Sequence, residues 1–421
     1  MGFDNEASSS NYSLPTATSP SAVPLLEKSH LSSQPKTFAN VFISIVGAGV
    51  LLRAHRLATG ILMLLLVGTL TFHCMLLLVR IRRRRLERDL PFSKIASFGD
   101  LGFAVAAPPA RNPLGRNSVD AMIVLSQAGF CVGYLIFISN TLAHLFKIQP
   151  LSLLTPKSIY IWSMVPFQLG LNSIKSLTHL APLSIFADIV DIGAMGVVMG
   201  EDFTIFLDRN PHTEAFNGFS PVLYGLGVAV FAFEGIGMVL PLEQEAQSKE
   251  KFGFTLGISM GVISISYALF GALGYLAFGE DTRDIITTNF GSGVVTIIVQ
   301  LGLCVNLFFT FPIMMHPVFE VAERWVCEKR YCWWLRWLLV LAVSLVAMFV
   351  PNFADFLSLV GSSVCCMLGF VLPALFHLKV FGSEMTWVEA AADIAIVLVG
   401  AVVAVSGTWS SLQEIFFSSM V

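Results

Sequence analysis

The residues best suited to chemistry sit where two apolar stretches are interrupted by glycine. Gly47-Ala48-Gly49 lies in the middle of one stretch, and Phe231-Ala232-Phe233-Glu234-Gly235-Ile236-Gly237 in another. Glycine lowers the cost of leaving helical geometry. An unwound helix then presents free N–H groups to an anion and free carbonyls to a cation. A zwitterion with both charges on one carbon suits a site built from two such breaks. Glu234 adds a carboxylate inside an apolar run, a costly placement unless it faces a cavity or a partner, which marks it as a functional candidate. The same glycines also permit close helix packing, and Gly47 and Gly49 alone do not separate the two readings.

Further polar groups recur with helical spacing. Asp120, Gln127, Tyr134 and Thr141 are seven residues apart, so they drift only about 20° per step and share one face. Gln127 and Tyr134 are the members of that stripe suited to line a polar path. Asp188, Asp191 and Asp202 fall within about 60° on a helical wheel, while Glu201 points elsewhere. An acidic stripe can relay protons, and the coupling candidates are Glu234, Asp188 and Asp191; an interfacial position explains the Asp groups equally well. Asn306 is a further lining candidate, with Thr310 one turn away, although interhelical hydrogen bonding also accounts for the pair. His73 and His316 lie in apolar runs and read as packed or interfacial. Gly257-Ile258-Ser259-Met260-Gly261 fits a hydrolase elbow but lacks the strand-turn-helix setting; with Gly253 it makes a close-packing face. There is no His-Glu-x-x-His, phosphate-binding loop or dinucleotide fingerprint. An enzyme, a metal centre and a bound cofactor are therefore not expected.

The elements that must position these groups are membrane helices. Charged residues make up 13% of the 421, against about 25% in soluble domains, and the mean hydropathy is +0.75. Lipid is the expected solvent, and nucleic acid is not an expected partner. At about 20 apolar residues per crossing, spans fall near 37–52, 60–79, 118–146, 158–174, 178–207, 219–241, 253–279, 293–318, 334–350, 354–380 and 386–408. Pro166 and Pro182 lie inside the fourth and fifth. With the amino terminus in the cytosol, nineteen Lys and Arg fall on the cytosolic side and six on the other, as cytosolic retention of basic residues requires. The carboxyl terminus then lies outside or in a lumen. Arg80-Ile81-Arg82-Arg83-Arg84-Arg85 is either a topology anchor or a lipid-headgroup site. Residues 1–35, polar and rich in Ser and Pro, read as a disordered cytosolic tail; 36–410 form the membrane domain and 411–421 a short tail. The seven cysteines are expected as buried free thiols, with no disulfide framework. The two interruptions are five spans apart, so their helices run in opposite directions, the pattern of a five-plus-five inverted repeat.

Gln34-Pro35-Lys36-Thr37-Phe38-Ala39-Asn40-Val41-Phe42, followed by Gly47-Ala48-Gly49-Val50-Leu51, resembles the start of the amino acid/auxin permease family, in its plant vacuolar-type neutral and aromatic amino acid transporter branch. The run Phe231 to Glu243 is the most specific match, supported by Leu180-Ala181-Pro182-Leu183 and Pro351-Asn352-Phe353. This resemblance covers residues 34 to about 415. It implies an all-α LeuT-type fold of eleven helices with helices one and six broken. It also implies proton-coupled amino acid transport, with Gly47, Ala48, Gly49, Phe233, Glu234 and Gly235 facing the substrate, and a vacuolar rather than plasma membrane. The proton gradient is then the coupling source, and the lipid bilayer and the amino acid are the partners of a monomeric chain.

One stretch departs from the family. After Gly49-Val50-Leu51 the family continues Gly-Leu-Pro-Tyr and later Thr-Gly-Trp, whereas this chain reads Leu52-Arg53-Ala54-His55-Arg56-Leu57-Ala58-Thr59-Gly60. Span one keeps about 16 residues, roughly 24 Å at 1.5 Å per residue. Codons such as CAC-CGG-CTG-GCC for His55-Arg56-Leu57-Ala58 would give Thr-Gly-Trp after a one-base shift, so a slipped frame or mis-joined exon is one reading. A real divergence is the other, and it predicts weak or absent transport, or an amino acid sensor.

Overall fold

The computed structural model describes residues 32–35, 37–38, 41, 57–88, 95, 97–106, 114–146, 155–174, 181–209, 219–283, 285–291, 293–350 and 352–418. The stretch 42–56, with Gly47, Ala48, Gly49 and most of the divergent segment, lies outside them. Among the described residues the chain forms spans two to eleven. They are Leu57–Arg88, Leu114–Phe146, Pro156–Asn172, Ala181–Arg209, the pair Phe219–Ala232 and Ile236–Glu245, Lys249–Phe278, Val294–Val326, Trp333–Phe349, Phe353–Phe381 and Trp387–Ser418. Seven of these are long and apolar enough to cross a membrane by length and composition. Pro182 falls in the first turn of span five, where its missing N–H has no helical partner to lose.

Span seven shows why lipid must surround the bundle. Phe252, Leu256, Met260, Ile263 and Tyr267 are buried, while Phe254, Ile258, Val262, Ile265 and Leu269 are exposed on the other side. A helix apolar all round needs an apolar surrounding on both faces. Trp333, Trp334 and Trp337 stand exposed at the start of span nine, the expected place for an interfacial aromatic belt.

The most extensive helix pairings are span three on eight, two on seven, and five on eight. Two of the three join helices five spans apart, as a five-plus-five inverted repeat places them. Glycines tighten these crossings. A Cβ at Gly257 would meet the Phe72 ring at 3.1 Å and one at Gly253 would meet Leu76 at 3.4 Å, so this run packs span seven on span two, mid-helix.

The arginine-rich ends are bound together by ion pairs, two of them on the buried Glu243. The Arg82 and Arg83 guanidiniums grip Glu243 at 2.5 and 2.8 Å, and Arg82 also donates to the Ile95 and Leu240 carbonyls. Arg84 pairs with Glu384. Three arginines of the cluster therefore hold spans six and ten to span two. Ser32 joins the same end, exchanging backbone hydrogen bonds with Glu245 and Gln247, and Thr255 donates to the Gln34 amide oxygen. The tail boundary at residue 35 falls inside this anchored stretch.

Two features depart from expectation. Phe98–Ala106 forms a helix within what reads as a basic connection. Ser97 and Asp100 cap it reciprocally at 3.1 and 3.2 Å, and Phe98, Leu101 and Val105 are buried; a Ser-x-x-Asp before that spacing is its sequence signature. Five cysteines are buried free thiols, but Cys327 and Cys332 form a disulfide across the turn between spans eight and nine. Positive φ angles at Glu328 and Lys329 reverse the chain there, bringing together cysteines that no Cys-x-x-Cys spacing announces.

Beside that turn, Arg336 is buried among the helices. Its guanidinium bonds Glu323 at 2.7 Å, donates to the Asn172 and Ile174 carbonyls, and lies over the Phe319 and Tyr331 rings. Spans four, eight and nine meet in this one side chain. Arg336→Met leaves Glu323 buried without its counter-charge, and the expected loss is about 3–5 kcal/mol. Adding Glu323→Gln should restore most of it. Thermal unfolding in detergent measures both, and an unchanged midpoint for Arg336→Met alone would contradict this role.

Candidate functional site

Span six breaks where its sequence places the interruption. The helix ends at Ala232, Phe233-Glu234-Gly235 leave it, and a second helix starts at Ile236. Close backbone approaches hold the break. A Cβ at Gly361 in span ten would lie 1.9 Å from the Gly227 carbonyl oxygen, and one at Gly227 would lie 2.6 Å from the Ser358 carbonyl oxygen. On the other side, a Cβ at Gly68 would meet Ser264 at 2.4 Å and the Phe233 ring at 3.1 Å. Phe233 is fully buried, its ring 5.4 Å from that of Tyr267.

Glu234 projects from the break. Its carboxylate takes the Ile236 backbone N–H, and Ser126 of span three donates to Oε1 at 3.4 Å. Oε2 is buried and has no partner among the described residues. Cys365 of span ten lies within electrostatic reach. That cysteine ends the first of two π-helical turns, Gly361–Cys365 and Met367–Val371. Such turns disturb the regular backbone ladder and concentrate at functional sites. An interrupted helix, a π-distorted helix and a half-satisfied carboxylate thus meet at one point inside the bundle.

The structure gathers some of the other candidates and disperses the rest. Tyr134 is buried on span three, within electrostatic reach of Asp191 on span five and Tyr267 on span seven; Tyr267 in turn packs on Phe233. Gln127 is half-buried beside Ser126. The Asn306 amide oxygen accepts from Thr310 at 3.0 Å within its own helix. The side chain of Asp188 lies outside the described residues. Asp120 belongs elsewhere: it pairs with Arg324 at 2.5 Å and Arg116 at 3.7 Å at the arginine-rich end, so it clamps helices rather than lining a path. Ser126, Tyr267 and Cys365 were not anticipated. Ser126 sits one position from the Gln127 stripe, whereas nothing in the local sequence of Cys365 signals a π turn.

The family model described as transmembrane amino acid transporter protein matches residues 30–413. The chain belongs to the transmembrane amino acid transporter family. Among relatives of this transporter, amino acid transporter AVT3C of Arabidopsis thaliana is 61% identical over 99% of both chains, and amino acid transporter ANT1 of the same plant is 37% identical over 90% of this chain and 92% of its own. The AVT3C alignment runs over 439 positions, more than the 421 residues present, so part of that relative has no counterpart in this transporter. Two solved structures share its fold. MhsT in complex with L-phenylalanine gives a TM-score of 0.52 at 11% identity, covering 89% of this chain and 98% of its own. Inward-facing Mhp1 gives 0.52 at 14% identity, covering 92% and 90%. The fold of this transporter is of the LeuT type, all-α and polytopic, and its function is non-enzymatic.

Proposed function

We propose that this chain is a secondary active transporter that moves neutral and aromatic amino acids, driven by a proton gradient. It works as a monomer in the vacuolar membrane, with its amino terminus cytosolic and its carboxyl terminus lumenal. The observation that carries the reading is Glu234, buried at the break in span six with one oxygen unpartnered among the described residues. Its carboxylate occupies the Ile236 N–H at the amino end of a half-helix, where an anion is favoured. A substrate carboxylate arriving there displaces Glu234, which then holds the coupling proton or meets the substrate ammonium. Membership of the amino acid transporter family supports the substrate class, and the buried Glu234 carboxylate in span six supports protons as the coupling ion.

A second reading, an amino acid sensor or an inactive product, rests on Leu52 to Gly60, where charged residues replace the apolar half of helix one. Uptake of labelled phenylalanine, alanine and lysine into proteoliposomes separates the readings. Saturable uptake of the first two over lysine supports the transporter. Saturable binding without uptake supports the sensor, and neither binding nor uptake points to the inactive product.

A further inference from the structure

The other end of the bundle holds a second buried carboxylate that the reading above does not use. Asp202 of span five is 0% exposed, and neither of its carboxylate oxygens has a hydrogen-bond partner among the described residues. It rests against the backbone of span seven, where an added Cβ at Gly274 would lie 3.6 Å from Oδ2 and 2.5 Å from Ile286. The walls are apolar: Val198, Phe270, Ala277, Phe278, Ile286 and Val299 form one cluster there. A loop covers it. Arg283 donates from its backbone to the Asn289 side chain and from its guanidinium to the Thr288 carbonyl, and Asn289 returns a bond to the Asp281 carbonyl.

Two further buried oxygens, in the loop and in span eight, lack partners among the described residues. They are Thr287 Oγ1 and Gln300 Oε1, while the Gln300 amide donates to the Thr287 carbonyl at 2.6 Å and ties span eight to the loop. Among the described residues no basic side chain pairs with the carboxylate. Glu201 is its charged neighbour on span five. Span seven contributes the buried Tyr275, and the loop contributes Asp281 and Arg283, both exposed. The Glu280 side chain and Asp284 lie outside the described residues, and span eight carries no charged residue from Val294 to Gln300. Among the described residues an ionised carboxylate in such a place has neither counter-charge nor donor, a state proteins avoid by neutralising the group. A proton removes that charge.

We propose that Asp202 is a proton-binding site of the transport cycle, buried in the apolar cluster between spans five, seven and eight and beside Ile286 of the covering loop. It shares a face of span five with Asp191, eleven residues away and so about 16 Å along the axis, and Asp191 lies within electrostatic reach of Tyr134. The proton arrives from the side of the loop and leaves through span five towards the break in span six. This inference rests on the proton-coupled reading.

The test uses the purified full chain and its Asp202→Asn variant. In infrared spectra at neutral pH, the protonated-carboxyl C=O band, identified by its shift in heavy water, is expected to be weaker in Asp202→Asn than in the wild type. Identical bands would overturn the proposal whether or not the protein transports. In proteoliposomes the variant should exchange labelled alanine without a gradient at close to the wild-type rate. It should lose the stimulation by an inward pH gradient, about tenfold on the usual scale of coupling between two ligands. Full stimulation in the variant, or loss of a sodium-gradient stimulation instead, would overturn the assignment. Failure of the wild type to exchange any amino acid would count against the transport reading itself, which the infrared measurement does not depend on.

Discussion

Glu234→Gln is expected to abolish gradient-driven uptake while leaving the protein folded and able to bind substrate. Glutamine matches glutamate in size and keeps an oxygen for the Ile236 N–H and the Ser126 hydroxyl. It cannot take up or release a proton. Its amide replaces an oxygen that has no partner among the described residues, so no existing bond is lost and the stability cost is small. The initial rate of uptake under an inward pH gradient should fall by roughly a hundredfold or more, the scale on which loss of a single proton carrier acts. Saturable binding of labelled substrate and the unfolding midpoint should stay near their wild-type values. Near-normal uptake would remove Glu234 from the mechanism.

The second large effect is steric. Gly361→Ala should destabilise the protein severely and eliminate uptake. The new methyl would stand 1.9 Å from the Gly227 carbonyl oxygen and 2.8 Å from its carbonyl carbon. Both are backbone atoms, which no rotamer change can move aside. Spans six and ten must separate at the point where one is broken and the other π-helical, so the cost should exceed the roughly 1–3 kcal/mol typical of an overpacked core. Gly369→Ala is the matched control, since it also lies in a π turn of span ten but has nothing within 4 Å of the added methyl. Thermal unfolding in detergent should show a large drop for the first variant and little change for the second. Equal midpoints would contradict the close-contact account.

The contrast between those two glycines shows how far this sequence could be read. Apolar run length located spans two to eleven to within a few residues at most ends, because the bilayer imposes one length on every crossing. The larger misses are helices that outrun the hydrocarbon: span two continues through its arginines to Arg88, span eight to Val326, and span eleven to Ser418, into what reads as the carboxyl-terminal tail. Arginine is a good helix former, so the apolar run ends before the helix does. At the site, Glu234 and the glycines around it were legible because charge and flexibility are both anomalous inside an apolar stretch. Asp120 shows the limit of the same argument: its seven-residue spacing matched the lining stripe, but Arg324, distant in sequence, decides where its charge is spent. Gly361, Ser126 and Cys365 acquire their roles through contacts between spans three, six and ten, and no local pattern encodes such a crossing. The pairing of Cys327 with Cys332 likewise depends on a chain reversal at Glu328 and Lys329.

The central claim is that an amino acid and a proton move together through the broken span six. It is tested most directly by the initial rate of labelled phenylalanine uptake into proteoliposomes with an inward pH gradient, with no gradient, and with the gradient collapsed by a protonophore. The account predicts concentrative uptake only with the gradient intact, accompanied by alkalinisation of the outside medium. Uptake that is equally fast in all three conditions, or that follows a sodium gradient instead, would contradict it.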